Sequence, residues 1–460
     1  MPTTLDCEVL GDLFGSSEVR EVFDSRALVQ AWLDVECALA EAQAAAGVIP
    51  GWAARRIASE ADAGRFDLTD LRKGVDRTLH PLVSFVGALA ERSEEAGSYV
   101  HWGATTQDVI DTGLVLQIRR ALEPIKRDLE RSALAAVGLA RRFADTPMPG
   151  RTHGQHAVPI TFGSKAASWA DELLRAVDRL EDVEARVLVG QMGGAAGTLA
   201  SLGNEATTVR ASFCAILRLG EPRLPWHTAR DRLRDLAHAI AEVSHAGERV
   251  ASEIVLLQAT EVAEAFEPWS EQHVGSSTMP QKQNPMLSEY IVATAQLLRA
   301  SAAVLTDAPA HAHERDMRSW AAEWIAVPQM LILGGGLLQK LAVLLEGLSV
   351  DTARMLRNLG LSGGAISAEA VMMALAGELG RPRAHELVAQ VVRIASDTGR
   401  DLESVLNETP QVSSLLSLAE IHRLLDPSAY LGLSTASHEA VVAALDERRR
   451  AARGEGGSDG

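Results

Sequence analysis

Cysteine and aromatic side chains are scarce in this sequence of 460 residues. Its three cysteines, Cys7, Cys37 and Cys214, are an odd number without Cys-x-x-Cys spacing. A disulfide-stabilised scaffold and a cysteine-ligated zinc site are therefore not expected, and the composition fits a reducing cytoplasm. Aromatic residues make up only 4% of the chain, whereas Ala, Leu, Glu and Arg are abundant, which favours helix over strand.

Positive charge is also in short supply. The chain has 44 Lys and Arg residues against 61 Asp and Glu residues, so its formal net charge is −17. This balance disfavours nucleic acid and anionic membrane surfaces as partners. It does not favour an anionic substrate either, so a site for such a substrate must gather its own cations.

A clean membrane-spanning run and an export signal are missing as well. The first residues, MPTTLDCEVLGDLFG, carry acids and glycine where a signal peptide needs a basic start and an apolar run. The most apolar stretch, residues 324–345, contains proline, glutamine, lysine and three consecutive glycines, whereas a membrane helix needs about 20 cleaner residues. We therefore expect a soluble cytoplasmic protein.

Apolar residues recur every three or four positions along several stretches, which predicts long amphipathic helices. One such stripe runs from Trp169 to Val187 and another from Leu233 to Leu257, with similar stretches at residues 114–143 and 286–306. Convincing strand alternation is almost absent. The sequence therefore predicts an all-α protein whose core is a bundle of long helices.

Composition divides the chain into four parts. Shorter helices fill both ends, and the last residues, RRRAARGEGGSDG, are polar and glycine-rich, which is typical of disorder. We predict an N-terminal helical domain at 1–110, a central long-helix bundle at 111–350, a C-terminal helical domain at 351–447 and a disordered tail at 448–460.

Glycine- and proline-rich islands separate the long helices. They lie at Gly103–Thr112, Pro149–Gly163, Gly190–Gly203 and His273–Pro285. In a bundle such islands fall at helix ends, where backbone N–H groups are free to bind anions. We therefore expect the polar chemistry of the chain to be concentrated there.

The island at residues 275–285 reads GSSTMPQKQNP. Composition alone fits a plain surface loop equally well. The string, however, resembles the signature loop of the fumarase/aspartase superfamily, Gly-Ser-Ser-x-Met-Pro-x-Lys-x-Asn-Pro, at every fixed position. Two further strings, VHWGATTQDVIDT and GRTHGQHAVPITFG, resemble the other shared regions of that superfamily in the expected order.

Three more strings resemble the branch that contains adenylosuccinate lyase and 3-carboxy-cis,cis-muconate cycloisomerase. They are LVQAWLDVECALAEAQ near the start, HERDMRSWAAEW in the middle and LLDPSAYLG near the end. The resemblance implies a three-domain, all-helical subunit whose central helices assemble into a homotetramer, with active sites built from three subunits. It also implies a small dicarboxylate substrate and no cofactor.

Members of this superfamily remove a proton from the carbon beside a carboxylate and then expel a group from the adjacent carbon. The aci-carboxylate that forms carries two negative charges, so the site must surround it with donors and a cation. By resemblance, Ser276 is the base, acting as an alkoxide once its loop closes and excludes water. Lys282 and Asn284 would hold the carboxylate together with Thr105 and Thr106.

Several histidines resemble site residues of adenylosuccinate lyase. His153 resembles the general acid, a role that suits an imidazole titrating near neutrality. His80 and His101 resemble further site histidines, although as lone residues each could equally be structural, and His156 has the weaker claim.

The remaining substrate-binding candidates are Ser277, Thr152 and Arg315. Arg315 would bind a distal carboxylate or phosphate, or else form a surface salt bridge with Glu314 or Asp316. No metal site is expected, because the His311-Ala312-His313 pair lacks a third ligand at a sensible spacing.

At three places the sequence departs from the pattern of this branch, and these departures help to choose among the activities of the branch. Leu13-Phe14 stands where adenylosuccinate lyases typically carry an Arg-Tyr pair that meets the nucleotide phosphate, and Gln283 replaces the usual arginine of both enzymes. Conversely, His153 stands where the cycloisomerases usually have another residue.

We therefore predict a cofactor-free lyase that performs β-elimination from a substituted succinate, by C–N or C–O cleavage. The alternatives are the cycloisomerase itself and a catalytically silent helical scaffold.

Overall fold

A computed structural model describes residues 4–269, 279, 281–308 and 310–452 of the chain. Helices dominate it, as predicted. The α-helices are α1 (Gly11–Phe14), α2 (Ser17–Val22), α3 (Ser25–Ala45), α4 (Gly51–Ser59), α5 (Leu68–Thr78), α6 (Val83–Arg92), α7 (Thr106–Arg142), α8 (Phe162–Val187), α9 (Ala206–Ile216), α10 (Asp231–Gln258), α11 (Met286–Thr306), α12 (Met317–Glu346), α13 (Thr352–Leu359), α14 (Ala368–Leu379), α15 (Arg381–Thr398), α16 (Leu402–Glu408), α17 (Pro410–Ser413), α18 (Leu418–Leu425) and α19 (Ser437–Ala452).

The long helices predicted from the apolar stripes are confirmed. α7 has 37 residues, α8 has 26 and α10 has 28, and α11 covers the same residues, 286–306, as its stripe. The all-α fold class is therefore correct, because a stripe of this length can be buried only along a helix axis.

The chain folds into two compact units, each assembled from three separate segments. The first unit contains Met1–Leu129, Ala176–Glu248 and Tyr290–Lys340, and the second contains the remaining segments. These units cut across the boundaries predicted at residues 110 and 350, and the three-domain division stays a prediction. Helix α19 continues through Ala452, so the disorder expected from residue 448 onward is wrong for residues 448–452.

Each unit has its own apolar core. In the first unit, Trp32 of α3 packs edge-on against Phe85 of α6, with ring centroids 5.5 Å apart, within a large buried cluster. In the second unit, a smaller cluster joins α14, α15, α16 and α18, with Val371 and Ile421 fully buried. Burial of such side chains contributes about 1.5–3 kcal/mol each.

A β-hairpin replaces the helix-end loop expected for the second island. Strand β1 (Pro147–Thr152) pairs antiparallel with β2 (Gln155–Thr161), and Thr152 lies opposite Gln155. The two turn residues, His153 and Gly154, have φ values of 52° and 74°, the left-handed region that tight hairpin turns use. The sequence obscured this hairpin because prolines interrupt both strands, a pattern that usually argues against pairing.

A second, shorter strand pair joins β3 (Ala265–Phe266) to β4 (Ser349–Val350). Strand β4 follows α12 in the chain, and α12 covers most of the apolar stretch noted in the sequence. By length and composition α12 could cross a membrane, but 72% of its apolar window is buried inside the protein. Such burial is typical of a core helix.

The glycine triplet of α12 allows the chain segment between α1 and α2 to approach the helix backbone. A Cβ atom on Gly336 would lie 2.2 Å from the carbonyl oxygen of Phe14, whereas a Cβ on Gly334 would make ordinary contacts at 3.5 Å or more. The backbone amide of Ser16 also donates to the carbonyl of Ile332 at 3.2 Å. The triplet is therefore a packing feature of the first unit.

We expect Gly336→Ala to destabilise the protein by about 1–3 kcal/mol, because the backbone cannot move away without breaking the contact. Gly334→Ala is the matched control and should be neutral or slightly stabilising, since alanine favours helix by up to about 1 kcal/mol. Urea unfolding of both variants at one protein concentration measures the difference. Equal stabilities would contradict this account of the triplet.

Candidate active site

The first shared region lies at the start of α7. Thr105 immediately precedes the helix, and Asp108, in its first turn, accepts a hydrogen bond from the Thr105 amide at 3.0 Å. The Asp108 side chain therefore accepts a hydrogen bond from one of the amide groups that a helix start leaves without a backbone partner. Thr105 and the first helical residue, Thr106, stay half-buried and within reach of a ligand.

The Asp108 carboxylate also fixes the third glycine-rich island beside Thr105. It accepts hydrogen bonds from the amides of Gly193 and Gly194 at 2.9 and 2.8 Å, and its Oδ1 pairs with His227 Nε2 at 2.8 Å. With the Thr105 amide these contacts make four hydrogen bonds to one buried carboxylate. The GQMGGAAG region, residues 190–197, is thus fixed beside the start of α7, an arrangement that requires contacts between residues more than 80 positions apart.

Arg315 lies at the same place. One guanidinium nitrogen contacts the Thr105 hydroxyl, and the same nitrogen lies 3.5 Å from the carbonyl oxygen of Ala195. Asp316 pairs with Arg318 at 2.6 Å, so the salt bridge with Asp316 considered for Arg315 is not formed. The structure therefore brings this arginine to Thr105, as its assignment to the site requires.

A buried charge cluster secures the start of α12, two residues beyond Arg315. Arg230 makes a bidentate ion pair with Asp111 at 2.6 and 2.9 Å and a hydrogen bond to Glu323 at 3.0 Å. Trp320 donates its indole N–H to Asp111 at 2.8 Å. These contacts join α7, α10 and α12, so the direction in which the chain leaves Arg315 is fixed.

His80 contacts Thr106 through a defined tautomer. Its Nδ1 accepts from the amides of Leu82 and Val83 at 3.4 and 3.3 Å, so Nδ1 carries no proton in the neutral ring. The proton is then on Nε2, which lies 3.2 Å from the Thr106 hydroxyl oxygen and donates to it. The hydroxyl proton of Thr106 remains available for a ligand.

His101 is paired with a buried carboxylate. Its Nδ1 lies 2.6 Å from Glu36 Oε1, and its backbone amide donates to Glu36 Oε2 at 3.1 Å. Burial by itself would lower the pKa of His101, but the hydrogen bond and negative charge of Glu36, helped by Asp108, outweigh it and raise that pKa. A raised pKa means that a cation persists here toward higher pH.

The hairpin that carries His153 is anchored at its base. Arg151 forms two hydrogen bonds to the fully buried Glu264, at 2.7 and 2.8 Å, and Asn358 donates to the same carboxylate at 2.7 Å. His153 and Thr152 are exposed at the hairpin tip. An exposed imidazole on an anchored turn can exchange protons while its backbone is held in place.

His156 lies on β2, beyond the turn. Partial burial, followed by the positive charge of Arg151, lowers the pKa of His156. A neutral His156 at physiological pH is therefore favoured over a charged one.

The signature segment is described only in part. Ser276 and Ser277 lie outside the described residues. Lys282 is exposed, and Asn284 is half-buried. The end of the segment is anchored, because Gln258 donates to the Gln283 carbonyl at 2.9 Å.

Glu267 supports the start of α11, just beyond the signature segment. Its carboxylate accepts from the amides of Leu287 and Ser288 at 2.9 and 2.6 Å. A carboxylate at a helix start is favourable because it meets free amide groups and the positive end of the helix dipole.

The predicted site residues thus fall into two groups. The first group belongs to the first unit: Thr106 contacts His80, Thr105 contacts Arg315, and His101, four residues before Thr105, pairs with Glu36. The second group, Thr152, His153, Lys282 and Asn284, belongs to the second unit.

Sequence reasoning missed the buried residues that position these groups: Glu36, Asp108, Asp111, Arg230 and Glu264. Glu36, Asp108 and Asp111 lie in the quoted strings, and their sequence signal is a charged residue on a helix that is otherwise largely apolar on its buried side. Glu264 lies between α10 and β3, outside any helix. Among the described residues, no group of three or more His, Cys, Asp or Glu side chains is placed to hold a metal ion.

Removing the charge of Glu264 should destabilise the second unit. Glu264→Gln leaves the largely buried Arg151 without a counter-charge, and we expect a loss of about 2–4 kcal/mol. Glu253→Gln is the matched control, because its pair with Lys165 is more exposed and should be worth about 1 kcal/mol or less. Thermal or urea unfolding measures both, and losses of the same size would contradict the anchoring role.

Comparison with known proteins agrees with this architecture. A family model described as "Lyase" matches residues 15–298, and one described as "Adenylosuccinate lyase C-terminus" matches residues 364–441. A 3-carboxy-cis,cis-muconate cycloisomerase from Pseudomonas aeruginosa is 43% identical, over 94% of this chain and 95% of that protein. An N-acetyl-S-(2-succino)cysteine lyase from Dickeya dadantii is 37% identical, over 96% and 97%.

Solved structures give the same result. The 3-carboxy-cis,cis-muconate lactonizing enzyme from Pseudomonas putida has a TM-score of 0.91 at 40% identity, covering 95% of this chain and 99% of that one. A fumarate lyase from Mesorhizobium sp. BNC1 has a TM-score of 0.87 at 39% identity, covering 94% and 98%. The chain therefore belongs to the fumarase/aspartase superfamily of lyases, in the branch of adenylosuccinate lyase and carboxymuconate cycloisomerase, and is an enzyme of that superfamily.

Proposed function

We propose that this enzyme catalyses β-elimination from a substituted succinate, releasing fumarate or a close analogue and a protonated leaving group. The observation that carries the proposal is His153, exposed at the tip of an anchored hairpin. Elimination needs a proton donor for the departing atom, and an imidazole near neutrality is suited to that task. The cycloisomerases usually have another residue at this position.

The first step is removal of a proton from the carbon beside a carboxylate. In this proposal Ser276 takes that proton, and Lys282 and Asn284 hold the carboxylate while it gains charge. Thr106 adds a donor, because His80 occupies the lone-pair side of its hydroxyl and leaves the hydroxyl proton free. Donors of this kind can each be worth a hundredfold or more in rate.

The second step is departure of the leaving group. The electron pair left on the deprotonated carbon forms the new double bond, and the bond from the adjacent carbon to the leaving heteroatom breaks. His153 gives its proton to that heteroatom. Arg315, placed against Thr105, would bind the carboxylate at the far end of the substrate.

Relatives extend the range of leaving atoms. The similar protein from Dickeya dadantii is named for cleavage of a 2-succino group from an N-acetylcysteine sulfur. A thiol is therefore a candidate leaving group for this enzyme beside the amine and hydroxyl groups considered from the sequence.

We place the enzyme in the cytoplasm, which its three free cysteines support.

A second candidate activity is 3-carboxy-cis,cis-muconate cycloisomerisation. It is favoured by the 43% identity to the Pseudomonas aeruginosa enzyme over nearly the whole chain. The two activities share the base and the carboxylate clamp, since both form or consume an aci-carboxylate. They differ in whether a fragment leaves, and His153 favours elimination.

An absorbance assay separates the candidates. We expect fumarate-type absorbance from one or more amino-, oxy- or thio-substituted succinates, and no interconversion of carboxymuconate with its lactone. Ser276→Ala should lower kcat by about 10³-fold or more while substrate binding persists, because only proton removal is lost.

Replacement of the acid is the second arm of the assay. His153→Gln should reduce turnover most for substrates with the most basic leaving group. Lactone turnover by the wild type would favour the cycloisomerase, and inertness toward the whole panel would favour a silent scaffold.

We also propose that the enzyme is a homotetramer with shared active sites. The long helices carry large apolar side chains exposed in the single chain, among them Leu256 of α10, Leu297 of α11 and Ile325 of α12, which is 69% exposed. Apolar surfaces of this kind mark protein–protein interfaces.

Light scattering after size exclusion should give four times the subunit mass of 49.1 kDa. Ile325→Glu should reduce the assembly to smaller species, because it places a charge in an apolar interface. Leu361→Glu is the control, an equally exposed leucine outside the long helices, and it should leave the mass unchanged. A monomeric wild type would overturn the assembly.

A further inference from the structure

Helix α3 buries two polar side chains that the proposed mechanism does not use. Glu36 is 2% exposed and Gln43 is fully buried, while most of their buried neighbours on α3 are apolar. The two residues are seven positions apart, so they lie on the same side of the helix. Polar groups are costly to bury unless they are hydrogen-bonded, and each of these two side chains makes at least one hydrogen bond.

Both side chains contact one short segment, residues 101–103. Glu36 accepts from the His101 amide and pairs with its Nδ1, and Gln43 donates to the Trp102 carbonyl at 2.6 Å. His101 and Gly103 have φ values of 59° and 72°, the left-handed region that residues other than glycine adopt uncommonly. Helix α3 therefore holds the turn that leads into Thr105.

The Glu36 carboxylate has one ion-pair partner among the described residues. Among the described residues its ion pair is with His101, and no Lys or Arg pair is formed with it. The other charged group acting on His101 is Asp108 of α7, which is also negative. Carboxylates from two packed helices thus act on one imidazole, and both favour its charged form.

We propose that Glu36 is a positioning residue that holds His101 as an imidazolium in the active site, with Nδ1–H donated to Glu36. Nε2–H is then the donor left for a substrate carboxylate. The role of His101 toward substrate rests on the proposed elimination, but its protonation and orientation do not. In an acidic chain this pair supplies a cation from a residue that is ordinarily neutral at physiological pH.

Glu36→Gln tests the pair, because an amide has one acceptor where the carboxylate has two. Whichever way the amide turns, one of the two His101 donors meets an NH₂ group, and the negative charge is gone. We expect the pKa of His101 to fall below its wild-type value. The sign follows from the pair: a charge that raises a histidine pKa lowers it when removed.

Exchange of the imidazole Cε1 hydrogen for deuterium, followed by mass spectrometry across a pH series, measures this pKa without an activity assay. The tryptic peptide from Ser93 to Arg119 contains His101 as its single histidine. Glu60→Gln is the matched control, because Glu60 is a buried carboxylate of the same unit that pairs with Arg92. That control should leave the His101 pKa unchanged.

An unchanged His101 pKa in Glu36→Gln would overturn the proposal. If that variant does not fold, Glu36→Asp replaces it, since the shorter side chain moves the charge away and should lower the same pKa less. An unchanged pKa in that variant would overturn the proposal equally.

A kinetic arm tests the link to substrate. At pH 8 we expect Glu36→Gln to lose about tenfold in kcat/KM, mainly through KM, with recovery toward the wild-type value at pH 6. A structural defect would lower activity at both pH values and would overturn the positioning role. If the wild type turns over no succinate, the proposed function fails, and the exchange measurement still decides the role of Glu36.

Discussion

Buried carboxylates that hold loops at helix starts are the interaction on which the candidate site depends. Asp108 is the central case, because its two oxygens accept four hydrogen bonds from three separate stretches of chain. A loop rich in glycine and threonine has no apolar side chains to fix it, so its position must come from polar contacts. A carboxylate is suited to this because it accepts several backbone N–H groups at once and gains strength from low local dielectric.

Buried carboxylates hold neighbouring segments in this way in both units of the chain. Glu36 holds the turn before Thr105, Asp111 holds the start of α12 beyond Arg315, and Glu264 holds the base of the hairpin that carries His153. Each of these carboxylates is almost completely buried and paired with a cation or an imidazole. Part of the large acidic excess of the chain therefore serves as internal support, and the cations that could meet a dicarboxylate, such as Lys282, remain exposed.

Overall sequence identity favours a cycloisomerase activity for this chain, whereas the proposed acid, His153, favours elimination. Identity over the whole chain is higher to a cycloisomerase than to the succinocysteine lyase, and the structural neighbours agree. Identity, however, is dominated by the many residues that pack helices, which any activity on this scaffold needs. His153 is one residue among 460, yet in our proposal it is the acid that protonates the leaving group, and for this reason we give it more weight than overall identity.

The sequence by itself determined the all-helical fold, the extent of α11 and the superfamily, because helix periodicity and an eleven-residue signature are local properties of the chain. It also predicted Thr105, Thr106, His80, His101 and Arg315 as site residues; the structure places His80 against Thr106 and Arg315 against Thr105, and their roles stay a prediction. Only the tertiary structure decided that the second island is a hairpin, that residues 448–452 are helical, and that Glu36, Asp108 and Glu264 position the site. The roles of these three carboxylates depend on hydrogen bonds between residues 65 to 113 positions apart, and no local pattern specifies which distant partner a buried charge will meet.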